Sequence, residues 1–285
     1  MLWGAGGPEP RQSVQAGGPR SGGMRSGGAV ILGAMLRVVA EGPVVRLTLD
    51  RPEVRNAFND ELIAALRSAF ESLSSEVRAV VLGGSGKSFS AGGDLNWMAA
   101  AASYTEEENY EDALRLGRLF EALAECPAVV VCRVHGAAFG GGCGLVAASD
   151  VAVAAEGTKF SFSEVRLGLI PATISPFVIP KIGSGHARHL FTTGEVFESD
   201  HALRIGLVHK IVAETALDET VEAVVNDVLR NGPSAVASAK RVAVHGPYPM
   251  EESARLLAKA RSSAEGKEGV EAFLEKKKAP FVVER

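Results

Sequence analysis

Three segments of this chain set small residues and acids at the ends of apolar runs, where they could do chemistry. The string Ser88-Phe-Ser-Ala-Gly-Gly-Asp94-Leu-Asn-Trp-Met98 follows the short apolar run 79–82, which reads as a buried strand. Sheets flanked by helices bind ligands beyond the carboxyl ends of their strands. Ala91, Gly92 and Gly93 have almost no side chain, so a ligand could approach their N–H groups. A plain tight turn with Asp94 capping the next helix is the competing reading. The second string, His135-Gly-Ala-Ala-Phe-Gly140-Gly-Gly-Cys-Gly144-Leu-Val146, leaves a strand and enters an apolar helix. N–H groups at a helix start stabilise negative charge. Consecutive glycines suit a site where something lies on the main chain, or else a close helix–sheet contact. The third, Phe160-Ser-Phe-Ser-Glu164-Val-Arg166-Leu-Gly-Leu-Ile-Pro171, sets Glu164 among apolar neighbours. Such surroundings raise a carboxyl above its reference of about 4.3 and suit it to proton transfer. An exposed glutamate beside Arg166 is the alternative.

Other chemistries fit less well. Gly86-Lys87-Ser88 resembles the end of a phosphate-binding loop, but Val81 stands where its first glycine belongs. Gly142-Cys-Gly144-Leu-Val-Ala147 has the GxGxxA spacing of dinucleotide folds, with Glu164 roughly 20 residues on. It lies deep in the chain, however, and not on a first strand. The six histidines make no metal pattern, and His135 reads as a turn or core residue. Cys126, Cys132 and Cys143 form no CxxC pair, which disfavours zinc and redox motifs and fits a reduced, intracellular chain.

The elements that position these segments follow from periodicity. Runs at 36–39 and 44–49 flank Glu41-Gly42-Pro43 and predict a hairpin. Leu62, Ile63, Leu66, Ala69, Phe70 and Leu73 recur at helical spacing after Asn59-Asp60, and Leu114, Leu116, Leu119, Phe120 and Leu123 do so after an acidic start. Strands are expected at 129–134, 151–154, around 160–162 and at 207–212. Helices are expected at 143–149, across 176–205 and through most of 216–277. Strands alternating with helices argue for an α/β core with covered sheet faces. The tail from 216 reads as a helical appendage that packs on its own core or on another subunit.

Composition sets outer limits. The 285 residues carry 30 Lys plus Arg against 34 Asp plus Glu, a net charge of −4, with 46% apolar and 22% charged residues. This is ordinary globular composition, and its acidic balance disfavours a nucleic-acid binder. No apolar run reaches the roughly 18 residues that a spanning helix needs. Residues 1–34 hold 10 of the 32 glycines, three prolines, three arginines and a single acid, Glu9. They are expected to be disordered. They read as an extended or mis-assigned start, with structure beginning at Met35, in preference to a mitochondrial transit peptide.

The three segments, together with Arg51-Pro…Arg55-Asn-Ala-Phe-Asn59 and Glu268-Gly-Val-Glu-Ala-Phe-Leu-Glu-Lys-Lys-Lys-Ala-Pro-Phe281, resemble the crotonase (enoyl-CoA hydratase/isomerase) superfamily in order and spacing. The resemblance covers about residues 35–281. Gly-Gly-Asp-Leu-Asn-Trp-Met and Glu-Val-Arg-Leu-Gly-Leu-Ile-Pro-Ala-Thr-Ile-Ser-Pro-Phe are similar to the bacterial methylglutaconyl-CoA hydratase branch and to the nearby isohexenylglutaconyl-CoA branch. The resemblance implies an α/β ββα spiral core over 35–215. It also implies a helical C-terminal region over 216–285 that serves oligomerisation, as trimer or hexamer, and the CoA pocket. The implied substrate is an acyl-CoA thioester, with no further cofactor, metal, nucleic acid or membrane partner. The implied compartment is the bacterial cytoplasm, or the mitochondrial matrix if residues 1–34 are a transit peptide.

The resemblance also assigns roles. The N–H groups of Gly93 and Gly141 form an oxyanion hole, and Glu164 transfers protons. Arg55 and the backbone at Ala57 and Ala91 hold the CoA, and Lys276 meets its phosphates unless it is a solvated helix end. Hydratases of this superfamily usually carry a second glutamate where this chain has Gly144. One carboxylate is enough to shift a double bond, so an enoyl-CoA isomerase competes with a hydratase. A non-catalytic acyl-CoA-binding paralogue is the third reading. A distal carboxylate on the acyl group would be met by an arginine. Arg133 and Arg166 are candidates, the latter sharing the face of Glu164 if that segment is a strand, and ordinary ion pairing is the alternative for each.

Overall fold

The computed structural model describes residues 28–31 and 35–285. Ten strands and ten α-helices follow in chain order. The first part of the chain gives β1 (Gly28–Ile31), β2 (Leu36–Glu41), β3 (Val44–Leu49), α1 (Asp60–Glu71), β4 (Ala79–Gly84), α2 (Leu95–Ala101) and α3 (Glu106–Glu125). The middle gives β5 (Val129–Val134), β6 (Ala137–Phe139), α4 (Gly141–Ala148), β7 (Val151–Ala155), β8 (Lys159–Ser161), α5 (Ser175–Thr193), β9 (Phe197–Glu198), α6 (Ser199–Arg204) and β10 (Lys210–Val212). Four helices end the chain: α7 (Leu217–Leu229), α8 (Pro233–His245), α9 (Met250–Ser262) and α10 (Ala264–Leu274).

A seven-stranded sheet runs β1-β2-β3-β4-β5-β7-β10, and a three-stranded one runs β6-β8-β9. The hairpin β2–β3 is antiparallel, with Leu36 opposite Leu49, and from β3 onward every pair in the large sheet is parallel. Register sets Leu47 beside Leu82, Leu82 beside Cys132 and Cys132 beside Ala152 on one face, where they join the main core with Leu66, Phe120 and Leu145. Alternate residues point the other way. Val44, Ala79, Val81, Val131 and Val153 therefore meet Leu217, Val221 and Val225 of α7. Both faces of the parallel part are covered, which is why its strands read as unbroken apolar runs.

Local chemistry starts the helices. The Asn59 side chain accepts the Leu62 N–H at 3.0 Å to open α1. Thr105 and Glu108 form a reciprocal capping box at α3, with the Thr105 N–H donating to the Glu108 carboxylate at 2.8 Å.

Several expectations are corrected. The sheet begins before Met35, because β1 pairs antiparallel with β2. The rest of the expectation for 1–34 lies outside the described residues. The helix foreseen over 176–205 is broken: Gly183 is non-helical and Gly194 ends α5 in the left-handed region. Phe197 then pairs with Phe160 before α6 begins. The last strand shortens to Lys210–Val212, since the Leu207 and Val208 N–H groups turn back to the Ala202 carbonyl. Glu164 sits on a 3-10 turn, Ser163–Leu167, so the condition under which Arg166 would share its face is not met. Among the described residues no helix is long and apolar enough to cross a membrane, and no cluster of His, Cys, Asp or Glu could hold a metal ion.

Candidate active site

The chain leaving β4 turns back and lies extended between two neighbours. On one side the Ser90 N–H donates to the Ala137 carbonyl (3.1 Å) and the Phe139 N–H donates to the Ser90 carbonyl (3.0 Å). On the other, the Phe58 N–H donates to the Gly92 carbonyl (2.7 Å) and the Asp94 N–H to the Phe58 carbonyl (2.8 Å). In an extended strand successive amides point to opposite sides. The Gly93 N–H is thereby turned away from Phe58 and is left without a backbone acceptor. Gly92 has to be glycine: its φ is +89°, and a β-carbon there would lie 2.9 Å from the Phe139 carbonyl oxygen.

A buried polar frame holds this loop. The Asn56 side-chain amide donates to the carbonyls of Ser85 and Ser88, both at 2.8 Å, and its oxygen accepts the Arg51 N–H at 2.9 Å. The Arg51 guanidinium donates to the Ala57 carbonyl at 2.6 Å and to Asp94 at 2.9 Å. Asp94 also caps α2 by accepting the Asn96 N–H at 2.9 Å, so the capping expectation is correct. Burial would raise the Asp94 carboxyl, but the Asn96 N–H and the Arg51 guanidinium outweigh it and hold it below the usual carboxylate range. Nothing but the string 51–59 hinted at this frame, and the pairing of Arg51 with Asp94 was not foreseen.

Gly141 is the first residue of α4, so its N–H has no partner within the helix. Gly140 (φ +48°) turns the chain into that helix, and its own N–H is occupied by the Ser161 carbonyl at 2.9 Å. A β-carbon on Gly140 would lie 3.4 Å from Glu164 Oε1 and 4.0 Å from the Gly92 α-carbon. The three segments therefore meet around Gly140, where the Gly93 and Gly141 N–H groups have no backbone acceptor and the Glu164 carboxyl lies close by. Glu164 Oε2 is buried and has no hydrogen-bond partner. Loss of solvent pushes its carboxyl above the ordinary range, which makes the carboxylate a stronger base and suits it to taking up and returning a proton.

The residues expected to hold CoA divide. Arg55 (φ +54°, exposed), Ala57 and Ala91 are brought together, the Ala91 N–H donating to the Arg55 carbonyl at 2.9 Å. Lys276 is exposed just past α10 and makes no hydrogen bond or ion pair with the others among the described residues. Arg133 projects from the opposite sheet face, held by Asp218 at 2.5 Å and by His135 Nδ1 at 3.2 Å. It lines a cavity of about 410 Å³ that shares no lining residue with Gly93, Gly141 or Glu164. Its ordinary reading as an ion pair is therefore the correct one. Arg166 follows Glu164 by two positions on a turn of three residues, so the two do not share a face.

The missing second glutamate has a physical basis. Gly144 is fully buried in α4, and a β-carbon there would lie 2.5 Å from Ile174 Cγ2 and 2.8 Å from the Phe120 ring. Apolar side chains occupy the space a larger residue would need.

An enoyl-CoA hydratase/isomerase family model matches residues 40–283. The chain belongs to this family. It is 34% identical over 245 residues to a crotonyl-CoA hydratase of Syntrophomonas wolfei, covering 83% of this chain and 93% of the relative. The fold superposes on Pseudomonas aeruginosa AtuE with a TM-score of 0.84 at 36% identity, covering 87% of this chain and 100% of the other. An enoyl-CoA hydratase of Shewanella pealeana aligns with a TM-score of 0.82 at 35% identity, over 86% and 95% of the two chains. As a member of the family the chain has the α/β crotonase core and helical C-terminal region that its sequence implied.

Proposed function

We propose that this enzyme adds water across the double bond of a 2-enoyl-CoA, and that 3-methylglutaconyl-CoA is its substrate. The observation that carries the reading is that the Gly93 and Gly141 N–H groups lack backbone acceptors in the segments that meet the Glu164 carboxyl, whose Oε2 is buried without a partner. A thioester oxygen set between the two N–H groups becomes an enolate when water attacks C3. Each such donor is worth roughly 2.7–4 kcal/mol in the transition state. With one carboxylate, Glu164 takes a proton from the attacking water and returns a proton to C2, so that one water is consumed and the product is a 3-hydroxyacyl-CoA. Arg55, Ala57 and Ala91 flank Gly93 and hold the CoA portion, which arrives as part of the substrate; no separate cofactor is needed. The hydratase names of several relatives support the reaction type. The methylglutaconyl choice rests on the motif resemblance alone.

Exposed apolar side chains on the last two helices, including Met250 and Phe273, each 82% exposed, support assembly of copies into a trimer or hexamer, with Lys276 at the phosphates of a CoA. A cytoplasmic location accords with the three free thiols.

The isomerase remains a second reading, because Gly144 leaves one carboxylate, and one carboxylate can carry a proton from C2 to C4. Turnover of 3-methylglutaconyl-CoA, crotonyl-CoA and a 3-enoyl-CoA in ¹⁸O-labelled water separates the two. Label in a 3-hydroxy product, lost in Glu164→Gln, supports the hydratase. A shifted double bond without label makes the protein an isomerase. Binding without turnover, indifferent to Glu164→Gln, makes it an acyl-CoA-binding paralogue.

A further inference from the structure

The helix that presents Gly141 ends on a buried lysine. Lys181, on α5, donates from Nζ to the carbonyls of Val146 (3.2 Å), Ala147 (3.2 Å) and Ser149 (2.7 Å). The first two belong to the last turn of α4, and the third is the residue that closes it. These carbonyls carry the negative end of the helix dipole, and a cation there complements it. At about 1.5 Å per residue, α4 separates Lys181 from the Gly141 N–H by roughly 10–12 Å. The ammonium therefore touches neither substrate nor reacting atoms. Pro180 precedes Lys181, and Gly183 (φ +77°) breaks the helix two residues later.

We propose that Lys181 is a positioning residue for the oxyanion hole: its charge gathers the carboxyl end of α4, holds that helix against the core and favours negative charge at the helix's Gly141 end. The inference rests on the reading of Gly141 as an enolate donor. Three titratable groups act on Lys181 or feel its charge. Cys132 lies on β5, Asp150 follows α4 and is itself held by Lys240 of α8 at 2.7 Å, and His209 precedes β10 and accepts the Ala152 N–H at 2.9 Å. Burial draws the Lys181 ammonium down to about 8, opposed by Cys132 and Asp150. The same charge, together with burial, lowers the His209 imidazole. Lys181 thus loses its charge at a pH where an exposed lysine keeps it.

The test compares the full chain with Lys181→Gln and Lys181→Arg, with folding and oligomeric state checked by circular dichroism and sedimentation. Two readouts are used: kcat and KM for hydration, and the pH at which bound acetoacetyl-CoA shows its near-ultraviolet enolate band. The second reports enolate stabilisation without turnover. Lys181→Gln is expected to lose about tenfold in kcat with KM within twofold, and to move the enolate transition up by about one pH unit. Lys181→Arg restores most of both. Wild type is expected to lose kcat above about pH 8, and Lys181→Arg is not. Should Lys181→Gln fail to fold, that pair of profiles is the test, and superimposable profiles from pH 7 to 10 overturn the proposal. A folded Lys181→Gln with wild-type kcat and enolate transition overturns it while leaving the oxyanion hole standing. Failure of wild type itself to ionise the bound ester overturns both.

Discussion

Restoring the second glutamate should damage this protein and should not improve it. Gly144→Glu places a β-carbon 2.5 Å from Ile174 Cγ2 and 2.8 Å from two atoms of the Phe120 ring. Carbon atoms prefer about 3.5–4.0 Å, so the overlap approaches 1 Å on both sides. Overpacking of this kind costs about 1–3 kcal/mol. An unpaired carboxylate in the same apolar space costs about 3–5 kcal/mol more while it stays ionised. Replacing glycine inside a helix returns roughly 0.5–1 kcal/mol. The net loss at pH 8 is therefore at least about 3 kcal/mol, a large part of the roughly 5–15 kcal/mol that holds a domain together.

Urea unfolding at fixed protein concentration reads this loss, with Gly144→Ala separating clash from charge. Alanine keeps the overlap and the helix gain and is expected within about 2 kcal/mol of wild type. The glutamate deficit should shrink at lower pH. Burial raises the new carboxyl in the folded state, so its penalty is full above that raised value and gone below the unfolded value of about 4.3. Adding Phe120→Val to Gly144→Ala should cost less than the sum of the two singles, because the shared overlap is relieved. A Gly144→Glu protein within about 1 kcal/mol of wild type at pH 8, with faster hydration, would show that Phe120 and Ile174 yield and that the space is open.

Glu164→Gln should lower turnover by about 10²–10⁴-fold with acyl-CoA binding kept, measured as kcat and as ester affinity. The same variant should be more stable than wild type at neutral pH and equal to it near pH 4, because the raised Glu164 carboxyl penalises the ionised folded state only above its unfolded value. Arg51→Met should cost about 3–5 kcal/mol in denaturant unfolding, since it strands Asp94, whose side chain is only 8% exposed; Arg51→Met with Asp94→Leu should cost less than Arg51→Met alone. Gly93→Ala should keep most activity, because its N–H survives and the new methyl meets the flexible Met98 at 3.3 Å. Gly141→Ala should lose more in a steady-state assay, since its methyl meets the Phe58 ring at 2.7 Å.

What could be read in the chain and what could not divides along the range of the interactions involved. Gly92 and Gly140 stood out because a positive φ leaves glycine as the residue that fits, and that demand is written at the position itself. The strands of the parallel sheet were legible for a similar reason, being apolar on both faces along their own length. Glu164 was placed beside the right segments, but whether it lay on a strand stayed open, because the left-handed Gly168 that closes its turn looks like any loop glycine. Arg133 illustrates the opposite case. Strand parity alone puts it on the face of Val131, away from the site, yet its partner Asp218 lies 85 positions on, so nothing nearby said that its charge was already matched. Gly144 combines both. Its smallness is visible locally, but its cause is Phe120 from α3 and Ile174 from the start of α5, which meet only once α4 is packed between them. In the chain the missing glutamate set a hydratase against an isomerase or a binding paralogue, whereas in the fold the same glycine is the contact at which three elements pack together.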